Sequence, residues 1–64
     1  MNPYTFVPGD LCKYLSRVVL VLTEPTYDTD SWWVQAVETD DNTFRKIRCD
    51  ALKLIQRAKE NINE

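Results

Sequence analysis

The sequence predicts a small all-β domain, and three observations carry that prediction. Two runs rich in β-branched and aromatic residues, Val18-Val19-Leu20-Val21-Leu22-Thr23 and Trp32-Trp33-Val34-Gln35-Ala36-Val37, flank a polar, proline-bearing link from Glu24 to Ser31. Such runs read as an antiparallel pair of strands. The chain has 64 residues, enough for one domain, so this pair must supply much of the core. A domain of that size buries roughly 60% of the surface its unfolded chain exposes, which leaves little room for a deep internal cavity. Third, the hydrophobic share of 44% excludes wholesale disorder, while Gly9 is the single glycine, so tight turns fall to Asn and Asp.

The elements follow in order. Met1 to Pro8 carries Pro3 and Pro8 and reads as an extended lead-in, because residues before proline avoid the helical region. Pro8-Gly9-Asp10 is a turn signal, and Leu11 to Leu15 alternates as a first strand. Val18 to Thr23 is an almost continuous apolar run, as expected of a strand buried on both sides or bent across the core; Pro25 ends it. Trp32 to Thr39 forms the third strand. Trp32, Val34 and Ala36 share one face and Trp33, Gln35 and Val37 the other, with Gln35 marking the second face as the more exposed. The core is expected to hold Trp32, Val34, Ala36, Leu20 and Leu52. Asp40-Asp41-Asn42 reads as a hairpin turn with Asn42 at positive φ. Thr43 to Cys49 is a fourth strand, and the opposite parity of Phe44 and Ile47 predicts a bulge between them. After Asp50 two readings compete. Ala51, Leu54, Ile55, Ala58 and Ile62 have helical spacing, with Asp50 as N-cap; alternatively, a helical turn at Asp50-Ala51-Leu52 leads into a short closing strand, Lys53 to Gln56. Residues 57–64 are a polar tail or short helix.

Composition narrows the chemistry. The net charge is −2, but two basic and seven acidic residues lie up to Asn42, against six basic and three acidic from Thr43 onward. This pattern fits a mixed solvated surface or a basic patch for an acidic partner. Met1 to Pro8 lacks the basic start and apolar run of a signal peptide, and no apolar stretch approaches the roughly 20 residues that span a bilayer. A soluble, cytoplasmic protein is expected, with Cys12 and Cys49 as free, partly buried thiols. Two cysteines and no histidine are too few soft ligands for an ordinary zinc site, so neither metal nor cofactor is expected. Without histidine, nucleophile–histidine pairs are excluded, and Asp28 with Asp30 or Asp40 with Asp41 fall in exposed turns where nothing raises a carboxyl pKa. One glycine cannot build a phosphate loop. The chain is read as not an enzyme.

The order Pro8-Gly9-Asp10-Leu11, the buried run Val18 to Leu22, Trp32 to Val37, a turn, and Asp50-Ala51-Leu52-Lys53-Leu54-Ile55 resembles a small SH3-like β-barrel. The resemblance spans Phe6 to Gln56 and is closest to short, uncharacterised SH3-like proteins of bacteriophage and marine viral genomes. It implies a five-stranded barrel with a short helical turn before the last strand, the alternative being a β-meander with a C-terminal helix. It also implies the host cytoplasm as location if the chain is viral. Trp32-Trp33 resembles the tryptophan pair of signalling SH3 domains, whose ALYDY-type stretch has no counterpart here. Tudor-type barrels use an aromatic cage, for which Trp33, Tyr14 and Tyr27 could supply rings.

Three function classes follow. The first is a non-catalytic interaction module for a protein or peptide, with Trp33, Tyr14 and Tyr27 as the binding surface, Phe44 beside them, and Arg45 and Lys46 as a charged rim. The second is nucleic-acid binding through Arg45, Lys46, Arg48 and Lys53. The third is a structural or assembly role as a homo-oligomer, favoured by open strand edges.

Overall fold

The computed structural model describes residues 3–58 and is all-β: six strands in one curled antiparallel sheet, a half-barrel. The strands are β1 (Leu11–Tyr14), β2 (Arg17–Val21), β3 (Thr26–Asp28), β4 (Ser31–Glu38), β5 (Phe44–Arg48) and β6 (Leu52–Gln56), with a single 3-10 turn at Cys49–Ala51 before β6. The path runs β3-β4-β2-β1-β6, and β5 pairs with the other side of β4.

One strand more forms than the sequence predicts. β3 lies in the polar link, where Thr26 opposes Trp33 and Tyr27 opposes Trp32. The two-residue turn beyond it has Thr29 at φ 50 and Asp30 at φ 61, the doubly left-handed geometry of a type I′ hairpin, made here without glycine. Asn42 stands at φ 59 in the β4–β5 connection, as its chemistry predicts. The expected bulge between Phe44 and Ile47 is absent: β5 pairs with β4 without a break, from Phe44 opposite Val37 to Arg48 opposite Trp33. Phe44 simply points outward, 75% exposed. The register shift lies instead between Leu11 and Cys12 on the β1–β6 ladder. After Asp50 the closing strand forms, not the helix. Leu52 to Gln56 has β1 to pair with, and sheet hydrogen bonds override a helical spacing of apolar residues. Ile62 and residues 59–64 lie outside the described residues.

The core sits on the concave side: Cys12, Val19, Val21, Val34, Ala36, Ile47 and Cys49, with Tyr4, Phe6, Tyr14, Trp32 and Leu52 packed against it. Leu20 departs from the expected core set. Val19 and Val21 take the inner face of β2, which sends Leu20 to the outer face opposite Leu11 and Val37.

Two buried carboxylates organise the ends. Glu38 lies between Arg17 (2.7 Å) and Arg45. Asp10 accepts from the backbone N–H of Ala58 (2.7 Å) and of Val7 (3.1 Å) and pairs with Arg57 (3.1 Å). This fastens the lead-in to the chain beyond β6. Gly9, at φ +99, admits this closure, since a Cβ there would stand 2.9 Å from Cβ of Ala58.

Candidate functional site

β2 and β3 behave as one strand running beside β4, broken at a kink. Val21 opposes Ala36, Leu22 donates to the Gln35 carbonyl (2.7 Å), and the Thr23 hydroxyl accepts the Gln35 N–H (3.0 Å). Pairing resumes only at Thr26 opposite Trp33. Pro25, buried and without an N–H, occupies the gap. The kink opens a depression of about 270 Å³ on the outer face, lined by Thr23, Thr26, Trp33, Val34, Gln35 and Lys46. A second, of about 240 Å³, is lined by Gln35, Phe44, Arg45 and Lys46. Sharing Gln35 and Lys46, the two form one shallow groove from Trp33 to Phe44. Each falls below the roughly 300–1,000 Å³ of small-molecule sites, so each has room for one or two side chains.

Trp33 is held, not loose. Its indole N–H donates to the Asp28 carbonyl at 2.8 Å, and Lys46 Nζ stands 5.1 Å from the ring centroid. The same ammonium donates to the Asp28 carboxylate at 3.1 Å. That hydrogen bond, followed by one from Thr29, holds the Asp28 carboxyl below its usual range. A large aromatic surface is thus presented with a fixed orientation and a cation over it.

β5 also leaves a backbone edge open. Glu38 N–H donates to the Thr43 carbonyl (2.8 Å), which marks that opposed pair as hydrogen-bonded. In an antiparallel ladder such pairs alternate, so Arg45 and Ile47 bond to β4, while the N–H and C=O of Phe44, Lys46 and Arg48 face away from the sheet. In the described sheet β5 has β4 as its one partner.

Of the five residues proposed from sequence, the structure brings Trp33 and Lys46 together on the outer face. Tyr27 opposes Trp32, and the two rings meet edge to face at 5.4 Å on the other side of the sheet. Tyr14 packs against the core. Arg45 turns to buried Glu38. Gln35, Thr23 and Phe44 complete the groove. Strand parity places Gln35 on the correct face but cannot find Thr23, whose role depends on the kink. Arg45, Lys46 and Arg48 are all ion-paired within the chain, to Glu38, Asp28 and Asp50.

Among the described residues no helix is long and apolar enough to cross a membrane. Compared with protein-family models, curated proteins and solved structures, the chain matches none.

Proposed function

We propose that this chain is a non-catalytic interaction module that takes an extended protein or peptide segment along the Trp33–Phe44 groove. One observation carries the reading: two side-chain-sized depressions adjoin on one face beside an open β5 edge. An added strand could bond the outward N–H and C=O groups of Phe44, Lys46 and Arg48 while alternate side chains settle into the depressions. Trp33, Gln35, Lys46 and Phe44 are the contact residues; Tyr27 pairs with Trp32 on the opposite face and lies outside the groove. A nucleic-acid reading has weaker support, because Arg45, Lys46 and Arg48 already face carboxylates of their own chain. The work is placed in the cytoplasm, of the host if the chain is viral, where the unbridged thiols of Cys12 and Cys49 stay reduced.

Selection of peptides from a random display library on the intact protein tests this. Enriched peptides should shift Trp33 emission, and Trp33→Ala or Phe44→Ala should weaken their binding at least tenfold in variants that still melt cooperatively. No enrichment over background, or binding that survives both substitutions, overturns the reading.

A further inference from the structure

The two depressions of the groove differ in chemistry. The first, beside Trp33, is rich in donors. Lys46 Nζ stands 5.1 Å from the indole centroid and gives one N–H to Asp28 at 3.1 Å, and an ammonium has further N–H groups to give. The Thr23 hydroxyl accepts the Gln35 backbone N–H at 3.0 Å, which leaves its own O–H to donate. The Thr26 hydroxyl and the Gln35 carboxamide stand on the same wall. The Asp28 carboxylate is itself engaged, with Lys46 through Oδ2 and with Thr29 through Oδ1.

The second depression is lined by apolar surface. Phe44, which the fold leaves exposed, forms one end of it. The charged ends of Arg45 and Lys46 are drawn off to Glu38 and Asp28, so these two side chains offer their aliphatic stems along the depression. The depressions lie on either side of the Gln35–Lys46 cross-strand pair, one toward Trp33 and one toward Phe44. They are therefore one two-residue step, or about 6.8 Å, apart along the sheet, the distance between alternate side chains of an extended segment.

We infer that the segment taken by this groove carries an acidic side chain in the Trp33 depression and, two residues further on, a large apolar one against Phe44. The inference rests on the interaction-module reading above and names the chemistry of its partner. A carboxylate there receives a charge-assisted hydrogen bond from Lys46 and neutral ones from Thr23 and Gln35, more than a neutral acceptor would draw. An apolar side chain in that place would bury the free donors without partners. A basic one would meet Lys46, already over the ring, and Arg48, which stands opposite Trp33. The order follows from strand direction. Antiparallel addition to β5 is the more stable pairing, and a segment running that way passes Arg48 and Trp33 before Phe44. The acidic residue therefore comes first.

Peptides selected from a random display library on the intact protein should share an acidic residue followed, after one variable position, by a large apolar one. In a synthetic peptide of that pattern, changing the acidic residue to its amide should weaken binding to the wild type at least threefold, and more at low salt. The same change should make no difference to binding by Lys46→Gln, whose exposed position keeps the variant folded. Changing the apolar residue to alanine should weaken binding to the wild type at least tenfold and make no further difference to Phe44→Ala. Selected peptides that lack the acidic residue, that carry a basic one in its place or that show the reverse order overturn the inference and leave the interaction module standing. A basic residue there would mean that the partner's cation replaces Lys46 on the Trp33 ring. An equal effect of the amide change on wild type and Lys46→Gln overturns it as well. No enrichment at all removes the module reading and this inference together.

Discussion

At the scale of single residues, the two cysteines show how burial decides chemistry. Both thiols are free and buried in the core. Burial, then the neighbouring Asp10 carboxylate, pushes the Cys12 thiol up to about 11 from 9.0; burial, then Asp50, raises that of Cys49. A raised thiol pKa disfavours the thiolate, so neither side chain is a ready nucleophile. The consequence for stability has a definite sign. Between pH 9 and about 11 the unfolded chain has released the Cys12 proton while the folded chain still holds it. The unfolded state therefore binds fewer protons there, and stability falls as pH rises. A difference of that size corresponds to about 3 kcal/mol, fully present below pH 9 and lost by pH 11. Urea unfolding at intervals from pH 8 to 11 should show a steeper decline for the wild type than for Cys12→Ala. Parallel declines would mean that Cys12 titrates alike in both states.

At the scale of elements, the Glu38 bridge joins the start of β2 to the end of β4 and the start of β5. Its carboxylate is buried, while the side chains of Arg17 and Arg45 are about half exposed. Either arginine alone can still neutralise it. Arg17→Ala and Arg45→Ala should therefore each cost on the order of 1 kcal/mol, as an ion pair with one exposed partner does. Removing both leaves an uncompensated buried charge, and the double variant should lose on the order of 3–5 kcal/mol, more than the sum of the singles. Denaturant melts of the four proteins measure the coupling, and simple additivity would show that Glu38 is solvated without its partners. Such bridges are invisible in sequence, where Arg17, Glu38 and Arg45 look like ordinary surface charges. β3 is illegible for a related reason: Thr26-Tyr27-Asp28 has no apolar periodicity and forms because Trp32 and Trp33 stand opposite. The strands with local patterns, β2 and β4, are readable, as is the turn at Asn42. The candidate site divides along the same line. The outward face of Trp33 follows from parity with Gln35, and Lys46 follows from the β4–β5 hairpin register. The positions of Tyr27, Tyr14 and Thr23 depend on β3, on the end of β1 and on the kink, which only the assembled sheet defines.

At the scale of the whole molecule, one small core must hold the entire fold. Domains of this size have a total stability on the order of 5 kcal/mol, so a single large side chain can decide whether they fold. The adjacent tryptophans separate the two demands made on the sheet. Trp32 packs against the core and meets the Tyr27 ring edge to face, tying β3 and β4 to the concave side. Trp33 lies on the other face, held by one hydrogen bond to Asp28 and by the Lys46 cation. Truncating Trp32 to Ala removes core contact that no neighbour can replace and should cost on the order of 3–5 kcal/mol, leaving much of the chain unfolded at room temperature. Trp33→Ala loses a hydrogen bond and a cation–π contact at a half-exposed site and should cost roughly 1–2 kcal/mol, leaving a cooperative transition. Circular dichroism melts of the two variants decide the matter. Equal losses would place both rings in the core and remove Trp33 from the binding groove. A Trp32→Ala chain that melts like the parent would show that the concave core is complete without the indole, and that the sheet, not its aromatic cover, sets the stability of the molecule.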